Sequence, residues 1–351
     1  MLSGIHLLNF KSFSDQKISL LPMTLLAGLN NSGKSSVIQA LRMLWKWYET
    51  DDPTLPGHGS LKEMKNKRSA GADPMSVLCF FKEHQTEMKI EFTDSGQFKF
   101  NTYEKYIPKL PFMSYVSADR WGPRVSLPVF TGSRDLSYVG EHGEYAIDFL
   151  SRHERDIVPQ ALCHSGAEGD TLEYNVRAWL EEISPNVKFK HGTDPQRDMA
   201  FTTIDGFRPT NTGFGLSYTL PVIITLLGMA AEWEDEEKKN QIGTIVLLEN
   251  PEAHLHPKGQ TSIGKLIALA AASGVQVIME THSDHLMDGI RIAVKEGLLS
   301  SDMAAFHYFS LDKNGYSIVE SPKIQSNGKL DYWPKGFFDQ TMQNRAILAR
   351  R

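Results

Sequence analysis

The first 28 residues alternate short runs of β-type side chains with turn residues, a pattern that predicts three strands. The runs are GIHLLNF, QKISL and MTLLAG, at 4–10, 16–20 and 23–28. In SVIQALRMLWKWY, at 36–48, apolar residues recur every three or four positions, which predicts an α-helix. The glycine-containing loop GLNNSGKSS joins the third predicted strand to this helix.

The pattern changes in the middle of the chain. Residues 50–75 are rich in Pro, Gly and charge, which predicts a long loop or a partly ordered insert. The runs at 76–81, 87–93 and 96–103 predict strands of a smaller antiparallel sheet. Residues 171–184, TLEYNVRAWLEEIS, predict an amphipathic helix capped by its threonine.

Long apolar runs dominate the last third of the chain. The runs GTIVLLEN, GVQVIMETHS and MAAFHYFSL, at 243–250, 274–283 and 303–311, alternate with helix-like segments. This pattern predicts an α/β fold whose parallel sheet is buried on both faces and flanked by helices. The tail at 333–350 predicts a terminal helix.

Composition narrows the class of protein. The chain has 351 residues, of which 41% are hydrophobic and 23% charged, as expected for a soluble globular protein of one large or two ordinary domains. Its formal charge of −5 gives no global basic field for nucleic acid. Cys79 and Cys163 form no CxxC pair, which excludes a cysteine zinc module and a disulfide framework. No signal sequence and no apolar run of about 18 residues is evident; we therefore expect a cytoplasmic protein without a membrane partner.

The loop at 28–35 matches the phosphate-binding pattern G-x-x-x-x-G-K-[ST]. Its glycines let successive backbone N–H groups face phosphates, and the following helix adds its positive end. We expect Lys34 to reach the β and γ phosphates of ATP and the Ser35 hydroxyl to bind Mg²⁺. The residues expected to contact ATP here are Asn30, Asn31, Ser32, Gly33, Lys34, Ser35 and Ser36.

Two further segments carry candidate chemistry at the ends of apolar strands. Glu249 ends one run and is expected to bind Mg²⁺. His282 follows the next run, at the carboxyl end of a predicted parallel strand, where we expect a γ-phosphate contact. The alternative is a metallohydrolase site built from HLH and HSDH, but Glu280 stands where H-x-H-x-D-H requires a histidine. The histidines and aspartate of that alternative are His254, His256, His282, Asp284 and His285.

Five segments in order, NFKSF, GLNNSGKSS, GFGLS, ENPEAHLHP and ETHSDHL, resemble an ABC-type ATPase of the RecF, SMC and OLD (overcoming lysogenization defect) group. The resemblance extends from end to end. The segments YVSADRWGPR, WPKGFFD and ENPEAHLHP look most like a bacterial subgroup of OLD-like ATPases with an uncharacterised C-terminal domain. Proteins of that subgroup are frequently found in anti-phage defence systems.

The resemblance implies a P-loop NTPase fold of ABC type, with an N-terminal antiparallel β subdomain and an inserted α/β subdomain. It implies a strand, P-loop and helix segment at 1–49, inserted and connecting segments at 50–210, and a signature, Walker B and switch-histidine lobe at 211–322. The last segment of the chain, at 323–351, is a C-terminal extension.

The resemblance also implies a homodimer that encloses ATP. Gly213 to Ser217 occupies the place of the ABC signature, so Gly215 and Ser217 are expected to contact ATP held by the other subunit. His282 matches the switch histidine, and 254–257 matches the dimer-contact loop. For Arg120, a functional role and a structural ion pair both remain open.

Asn250 departs from the ABC pattern. In most ABC ATPases the residue after the magnesium carboxylate is a glutamate that orients or deprotonates water. An asparagine amide can hold that water but cannot take its proton at neutral pH. Glu252 is the nearest carboxylate that could substitute, so slow hydrolysis involving Glu249, Asn250, Glu252 and His282 is expected.

Three functions fit this sequence. OLD nucleases carry a Toprim nuclease domain after the ATPase, whereas FHYFSLDKNGYSIVESP offers no D-x-D pair. The favoured function is an ATPase subunit that gates a separate effector, such as a nuclease, in phage defence. The alternatives are a RecF-like DNA-repair ATPase and a scaffold that does not hydrolyse ATP. The basic stretch at 62–68 could contact nucleic acid, although a solvated loop is the favoured interpretation.

Overall fold

The chain forms two compact units. The computed structural model describes residues 1–69, 73–82, 87–92, 98–102, 110–132, 139–231 and 243–349. The first unit comprises Met1–Leu110, Ala304–Gln325 and Lys329–Arg351, and the second comprises Pro111–Met303 and Ser326–Gly328. In the described residues, no helix is both long enough and apolar enough to cross a membrane.

The first unit contains the predicted antiparallel sheet. Its five strands are β1 (Leu2–Phe10), β2 (Phe13–Ser19), β4 (Met75–Phe81), β5 (Glu87–Phe92) and β6 (Phe98–Thr102). They lie in the order β2-β1-β4-β5-β6, and each neighbouring pair is antiparallel. The side chains of Ile5 and Leu7 on β1 are fully buried, as expected for alternate positions facing a core. The N-terminal antiparallel subdomain is thereby confirmed.

The strand that leads into the phosphate-binding loop belongs to the same unit. β3 (Met23–Gly28) pairs in parallel with β13 (Ala304–Leu311), which pairs antiparallel with β14 (Ser317–Glu320). Helix α1 (Lys34–Thr50) begins directly after the loop. The predicted order of strand, loop and helix is therefore present.

Two short helices complete the first unit. Helix α2 (Leu61–Met64) forms within the segment predicted as a loop or partly ordered insert, and Met64 is buried. Helix α8 covers Gln340–Leu348, which is only part of the predicted 333–350. Gly336 and Phe338 precede it with φ angles of 87° and 51°, values that no right-handed helix contains.

The second unit contains a parallel sheet segment. β12 (Val275–Glu280), β11 (Thr244–Glu249) and β7 (Phe112–Val116) lie in that order, and both pairings are parallel. Glu249 is opposite Glu280 in this register. Parallel strands bring their carboxyl ends to one edge, where functional groups gather in α/β proteins. The mostly parallel α/β architecture is confirmed.

Helices and a small antiparallel sheet surround these strands. The helices are α3 (Ala146–His153), α4 (Leu172–Ile183), α5 (Phe214–Ala230), α6 (Pro257–Ala272) and α7 (Asp284–Lys295). The antiparallel sheet has the order β8-β10-β9, formed by Leu127–Pro128, Met199–Ile204 and Phe189–Asp194. Neither this sheet nor α3 was predicted from the sequence.

The predicted threonine cap of α4 is wrong in its chemistry. Thr171 occupies the N-cap position, but its side chain makes no capping hydrogen bond. The loop after α3 supplies backbone acceptors instead: Leu172 N donates to Asp156 O at 2.8 Å, and Glu173 N donates to Glu154 O at 3.1 Å. These carbonyls satisfy amides that the helix itself leaves without acceptors.

Helices α6 and α7 make direct backbone contact. A Cβ added to Gly264 would lie 2.2 Å from Leu286 O, and a Cβ added to Gly289 would lie 2.2 Å from Thr261 O. Helix α6 begins after the segment that follows Glu249, and α7 begins two residues after His282. The contact between the two helices therefore helps to fix the positions of the segments that follow Glu249 and His282.

We expect Gly264→Ala to lower the free energy of unfolding by about 2 kcal/mol, because the added methyl must push the two helices apart. Denaturant unfolding measures this loss. Lys265→Ala, on the exposed side of the same helix, serves as the matched control and should change stability by less than about 0.5 kcal/mol. Equal stabilities of the two variants would contradict the close packing.

Candidate nucleotide-binding site

The loop after β3 depends on two glycines. Gly28 and Gly33 have φ angles of 145° and 107°, which favour glycine. A Cβ on Gly28 would lie 2.1 Å from Phe309 O, and one on Gly33 would lie 2.7 Å from both Phe13 Cζ and Ser317 Oγ. Space as well as backbone conformation therefore requires glycine at both ends of the loop.

Two serines from distant parts of the chain support this loop. Ser317 Oγ donates to Ser32 O at 2.7 Å and lies 2.6 Å from Ser12 Oγ. Because the single hydroxyl proton of Ser317 is used at Ser32, Ser12 is the donor in the second bond. Ser12 lies in the NFKSF segment, but sequence analysis assigned it no role, and no local pattern marks Ser317.

Lys34 is the first residue of α1, and its side chain folds back over the loop. Its Nζ donates to Gly28 O at 3.1 Å and to Leu29 O at 2.9 Å. Asn30 and Asn31 are exposed. Ser32 is buried and Ser35 and Ser36 are half-buried. An ammonium group, loop amides and the start of a 17-residue helix are thus brought together, and this donor set fits the phosphates of a nucleotide.

In the second unit, Glu249 ends β11 and Asn250 turns the chain. Glu249 Oε2 accepts a hydrogen bond from Ala118 N at 3.3 Å. Asn250 has a left-handed φ of 45°, and its N donates to Glu280 O at 2.9 Å. Asparagine tolerates this backbone conformation better than glutamate does. The backbone therefore gives a structural reason for asparagine at this position.

Arg120 is buried beside this turn and binds main-chain oxygens. Its Nη1 donates to Ser117 O at 2.7 Å and to Glu249 O at 2.8 Å, and its Nη2 donates to Asn250 O at 2.6 Å. Burial lowers the pKa of Arg120 to about 10, so the guanidinium remains charged at neutral pH. The sequence left a functional role and an ion pair open, whereas these contacts make Arg120 a positioning residue for Glu249 and Asn250.

Glu252 connects this turn to His282. Its Oε1 accepts a hydrogen bond from His282 N at 2.8 Å. Its Oε2 is buried and has no hydrogen-bond partner within the described ranges. The His282 imidazole is half-exposed, with Nε2 at 3.8 Å from Glu280 Oε1. The Glu252 carboxylate therefore joins the turn after β11 to the segment that contains His282. From the sequence, only the order of these two segments along the chain was known.

The GFGLS segment forms the start of α5, with Gly213 at the N-cap. Gly215 is needed for close packing, since a Cβ there would lie 2.8 Å from His254 O. The His254 ring packs against Tyr218 and Phe214 at centroid distances of 4.6 and 5.7 Å. Gly215 lies in the first turn, where its backbone amide has no acceptor within the helix, and Ser217 follows with its hydroxyl.

The metallohydrolase alternative gains no support from the geometry. Within the described ranges, one group of three His, Cys, Asp or Glu side chains has metal-ligating atoms close together, and it consists of Glu154, Glu173 and His191. None of the histidines in HLH or HSDH belongs to it. The sequence did not single out this group.

Likeness to solved structures defines the class of fold. A structure of the Smc head bound to the C-winged helix domain of ScpA covers 92% of this chain and 98% of its own, with a TM-score of 0.58 and 13% identity. An Smc head domain with an extended coiled coil, bound to the C-terminal domain of ScpA derived from Pyrococcus furiosus, covers 99% of each chain with a TM-score of 0.56 and 12% identity. The fold is therefore that of a P-loop ATPase of the ABC type, as the resemblance implied.

Sequence comparison gives the family. Residues 1–114 and 170–287 match the AAA ATPase domain, and because this match covers more than half of the chain, the protein belongs to the AAA ATPase domain family. Residues 299–346 match a domain described as a protein of unknown function (DUF3696). The Old nuclease of Escherichia phage P2 is 22% identical over 336 residues, which are 82% of this chain and 57% of that protein. The resemblance to the OLD, RecF and SMC group is confirmed, and family and loop together support ATPase activity.

Replacing Arg120 with lysine tests its positioning role. A lysine keeps the charge but cannot bind three carbonyls in a fixed fork. We expect Arg120→Lys to lower the free energy of unfolding by about 3 kcal/mol through lost charge-assisted hydrogen bonds. ATP turnover should fall more than nucleotide affinity. Thermal unfolding and phosphate release measure the two effects.

Arg124→Lys is the matched control, because Arg124 lies over the Trp121 ring at 4.0 Å and does not hold the turn after β11. The positioning role of Arg120 would be refuted if the Arg120→Lys and Arg124→Lys variants had the same free energy of unfolding and the same rate of ATP turnover.

Proposed function

We propose that this protein is an ATPase subunit that dimerises on ATP and gates a separate effector, such as a nuclease, in anti-phage defence. The observation that carries the proposal is the start of α5. Phe214 is 56% exposed there, beside the amides of the first helical turn and the Ser217 side chain. An exposed helix start with unsatisfied amides suits the terminal phosphate of a nucleotide held by a second copy.

Each copy contributes two sets of groups in this proposal. Lys34 and the amides from Asn30 to Ser36 bind phosphates, while Ser35 and Glu249 hold Mg²⁺. His282 contacts the γ-phosphate. Gly215 and Ser217 of the second copy contact the same ATP from the opposite side. Because ATP then binds the closed pair better than single copies, binding energy drives the change of state.

Magnesium would supply neutralisation of phosphate charge and a fixed orientation of the phosphate oxygens. The chain's own contribution is to orient water. The Asn250 amide holds a water by hydrogen bonding but does not take its proton. Glu252 has a buried carboxylate oxygen without a hydrogen-bond partner among the described residues, which supports it as the proton acceptor. Turnover is slow, so the ATP-bound dimer persists.

The proposed effector is a separate polypeptide. The Old nuclease of phage P2 is a nuclease by name, and the chain matches 57% of its length. The matched family is an ATPase domain, which supports the ATP-driven part of the proposed division of labour. DNA-stimulated turnover by the isolated protein would instead favour a RecF-like role in repair.

Two variants separate nucleotide binding from dimerisation. Lys34→Ala should lower ATP affinity by at least about 100-fold, because a charge-assisted phosphate contact is lost. Ser217→Arg should leave ATP binding by a single copy intact but block closure of the dimer. The bulky, charged arginine would fill the space in which Ser217 contacts the ATP of the second copy. Fluorescent-nucleotide titration and light scattering with a non-hydrolysable ATP analogue measure the two steps.

Ser300→Arg, at an exposed position of the same unit, controls for the added charge and should dimerise normally. The dimer proposal fails if Ser217→Arg dimerises like Ser300→Arg, or if the wild type stays monomeric with the analogue.

Restoring the carboxylate at position 250 should raise turnover. We expect Asn250→Glu to increase kcat by about 10-fold or more, since a general base replaces an amide. Asn250→Gln is the matched control, because it carries the same left-handed backbone cost of about 1 kcal/mol without the base. Steady-state phosphate release distinguishes them.

Glu252→Gln should lower kcat in the wild-type background, while Oε1 can still accept from His282 N. Equal kcat for Asn250→Glu and Asn250→Gln in folded protein would count against the proton-acceptor argument.

A further inference from the structure

Three side chains outside the nucleotide site converge in the second unit. Glu154 follows the end of α3, Glu173 lies in the first turn of α4, and His191 lies on β9. One ligand atom from each lies within 4.8 Å of the other two. The backbone hydrogen bond from Glu173 N to Glu154 O holds the two acidic segments together. The cluster is thus built by three separate elements.

Hydrogen bonding fixes the tautomer of His191. Ser151 Oγ donates to Ile147 O at 2.9 Å, so its only proton is used. The same oxygen lies 3.0 Å from His191 Nδ1 and must therefore accept a proton from it. Burial lowers the pKa of His191, although Glu173 and Glu154 act in the opposite direction. In the neutral imidazole the proton therefore lies on Nδ1 and the lone pair on Nε2.

That lone pair faces carboxylate oxygen. The His191 side chain is 4% exposed, and its Nε2 lies 3.5 Å from Glu173 Oε1. In the described part of the chain, no hydrogen-bond donor serves this nitrogen. The separation exceeds the roughly 2.7–2.9 Å of a charge-assisted N–H···O bond. A lone pair and a carboxylate oxygen at this distance repel each other, so a cation between them would be stabilised.

We infer that Glu154, Glu173 and His191 bind a divalent transition-metal cation of the Zn²⁺ type. Ligand atoms about 2.1 Å from a tetrahedral zinc ion lie roughly 3.4 Å apart, close to the observed spacing of 3.5 Å between His191 Nε2 and Glu173 Oε1. Imidazole with carboxylates suits Zn²⁺ better than Mg²⁺. Ser151 orients the ring through Nδ1, which is a usual support for a metal-bound histidine. The ion links α3, α4 and β9.

Arg177 is the competing cation at this cluster. Its Nη2 lies 2.5 Å from Glu173 Oε1, and its side chain is 41% exposed. An exposed arginine can withdraw to solvent when a metal takes its place. Glu154 and Glu173 are 37% and 25% exposed, which leaves the ion a route in from water.

Zinc titration of the full chain, stripped with a chelator and kept free of nucleotide, tests this inference. We expect one Zn²⁺ per chain by calorimetry, a melting temperature that rises with Zn²⁺ but not with Mg²⁺, and a Zn²⁺-dependent shift of the His191 Nε2 NMR signal. His191→Ala and Glu154→Gln should each weaken binding by at least about 10-fold. Because Glu154 is the most exposed of the three ligands, Glu154→Gln is expected to leave the fold intact, so a loss of binding in this variant does not reflect misfolding.

His164→Ala is the matched control. His164 Nε2 lies 3.9 Å from Glu182 Oε2, and burial also lowers its pKa, but it belongs to no three-ligand group of the described residues. It should bind Zn²⁺ like the wild type. The inference is overturned if the wild type binds no Zn²⁺, or if His191→Ala and Glu154→Gln bind it normally. Because no nucleotide is present, none of these results depends on the proposed function.

Discussion

A single buried guanidinium holds the shape of the chain at the end of β11. Arg120 donates to the carbonyls of Ser117, Glu249 and Asn250, and its charge is also favoured by Glu252 and the Tyr218 ring. Removing a charge from water is costly unless its donors are well satisfied. Three carbonyl acceptors offset part of that cost, although the buried Nε has no hydrogen-bond partner among the described residues, and they fix the direction in which Glu249 and Asn250 leave the strand. Without them, the turn would lose the geometry on which its chemistry rests.

The phosphate-binding loop is held in a different way, although the buried Lys34 ammonium also binds the carbonyls of Gly28 and Leu29. Its shape follows from glycine conformations and from hydroxyl groups of the same unit. Ser12 and Ser317 bind each other and the carbonyl of Ser32, while Phe13 and Phe309 leave room only for glycine. Each hydrogen bond contributes about 1 kcal/mol at most. Their combined effect is a loop whose amides need little rearrangement to receive an anion.

Sequence reasoning located the parts that obey local rules. The glycine-rich loop, the helix that follows it and the strand ending at Glu249 each follow from a pattern within a short stretch of sequence. The role of Arg120 and the support from Ser317 could not be predicted, because their partners are more than a hundred residues away in the chain. Thr171 shows the same limit, since carbonyls after α3 replaced the local cap. His191 gave no signal because one histidine in a polar hairpin resembles any other.

The carboxylate of Glu252 has a mechanical consequence. It accepts the amide of His282, and only two residues farther along the chain His254 touches the start of α5 through its carbonyl and its ring. A displacement of the His282 main chain by a few tenths of an ångström must either stretch that bond or move Glu252 and the adjoining Ala253 with it. In the proposed dimer, the residue that contacts phosphate and the helix start that meets the second copy are therefore linked through Glu252 and His254, without a long relay of side chains.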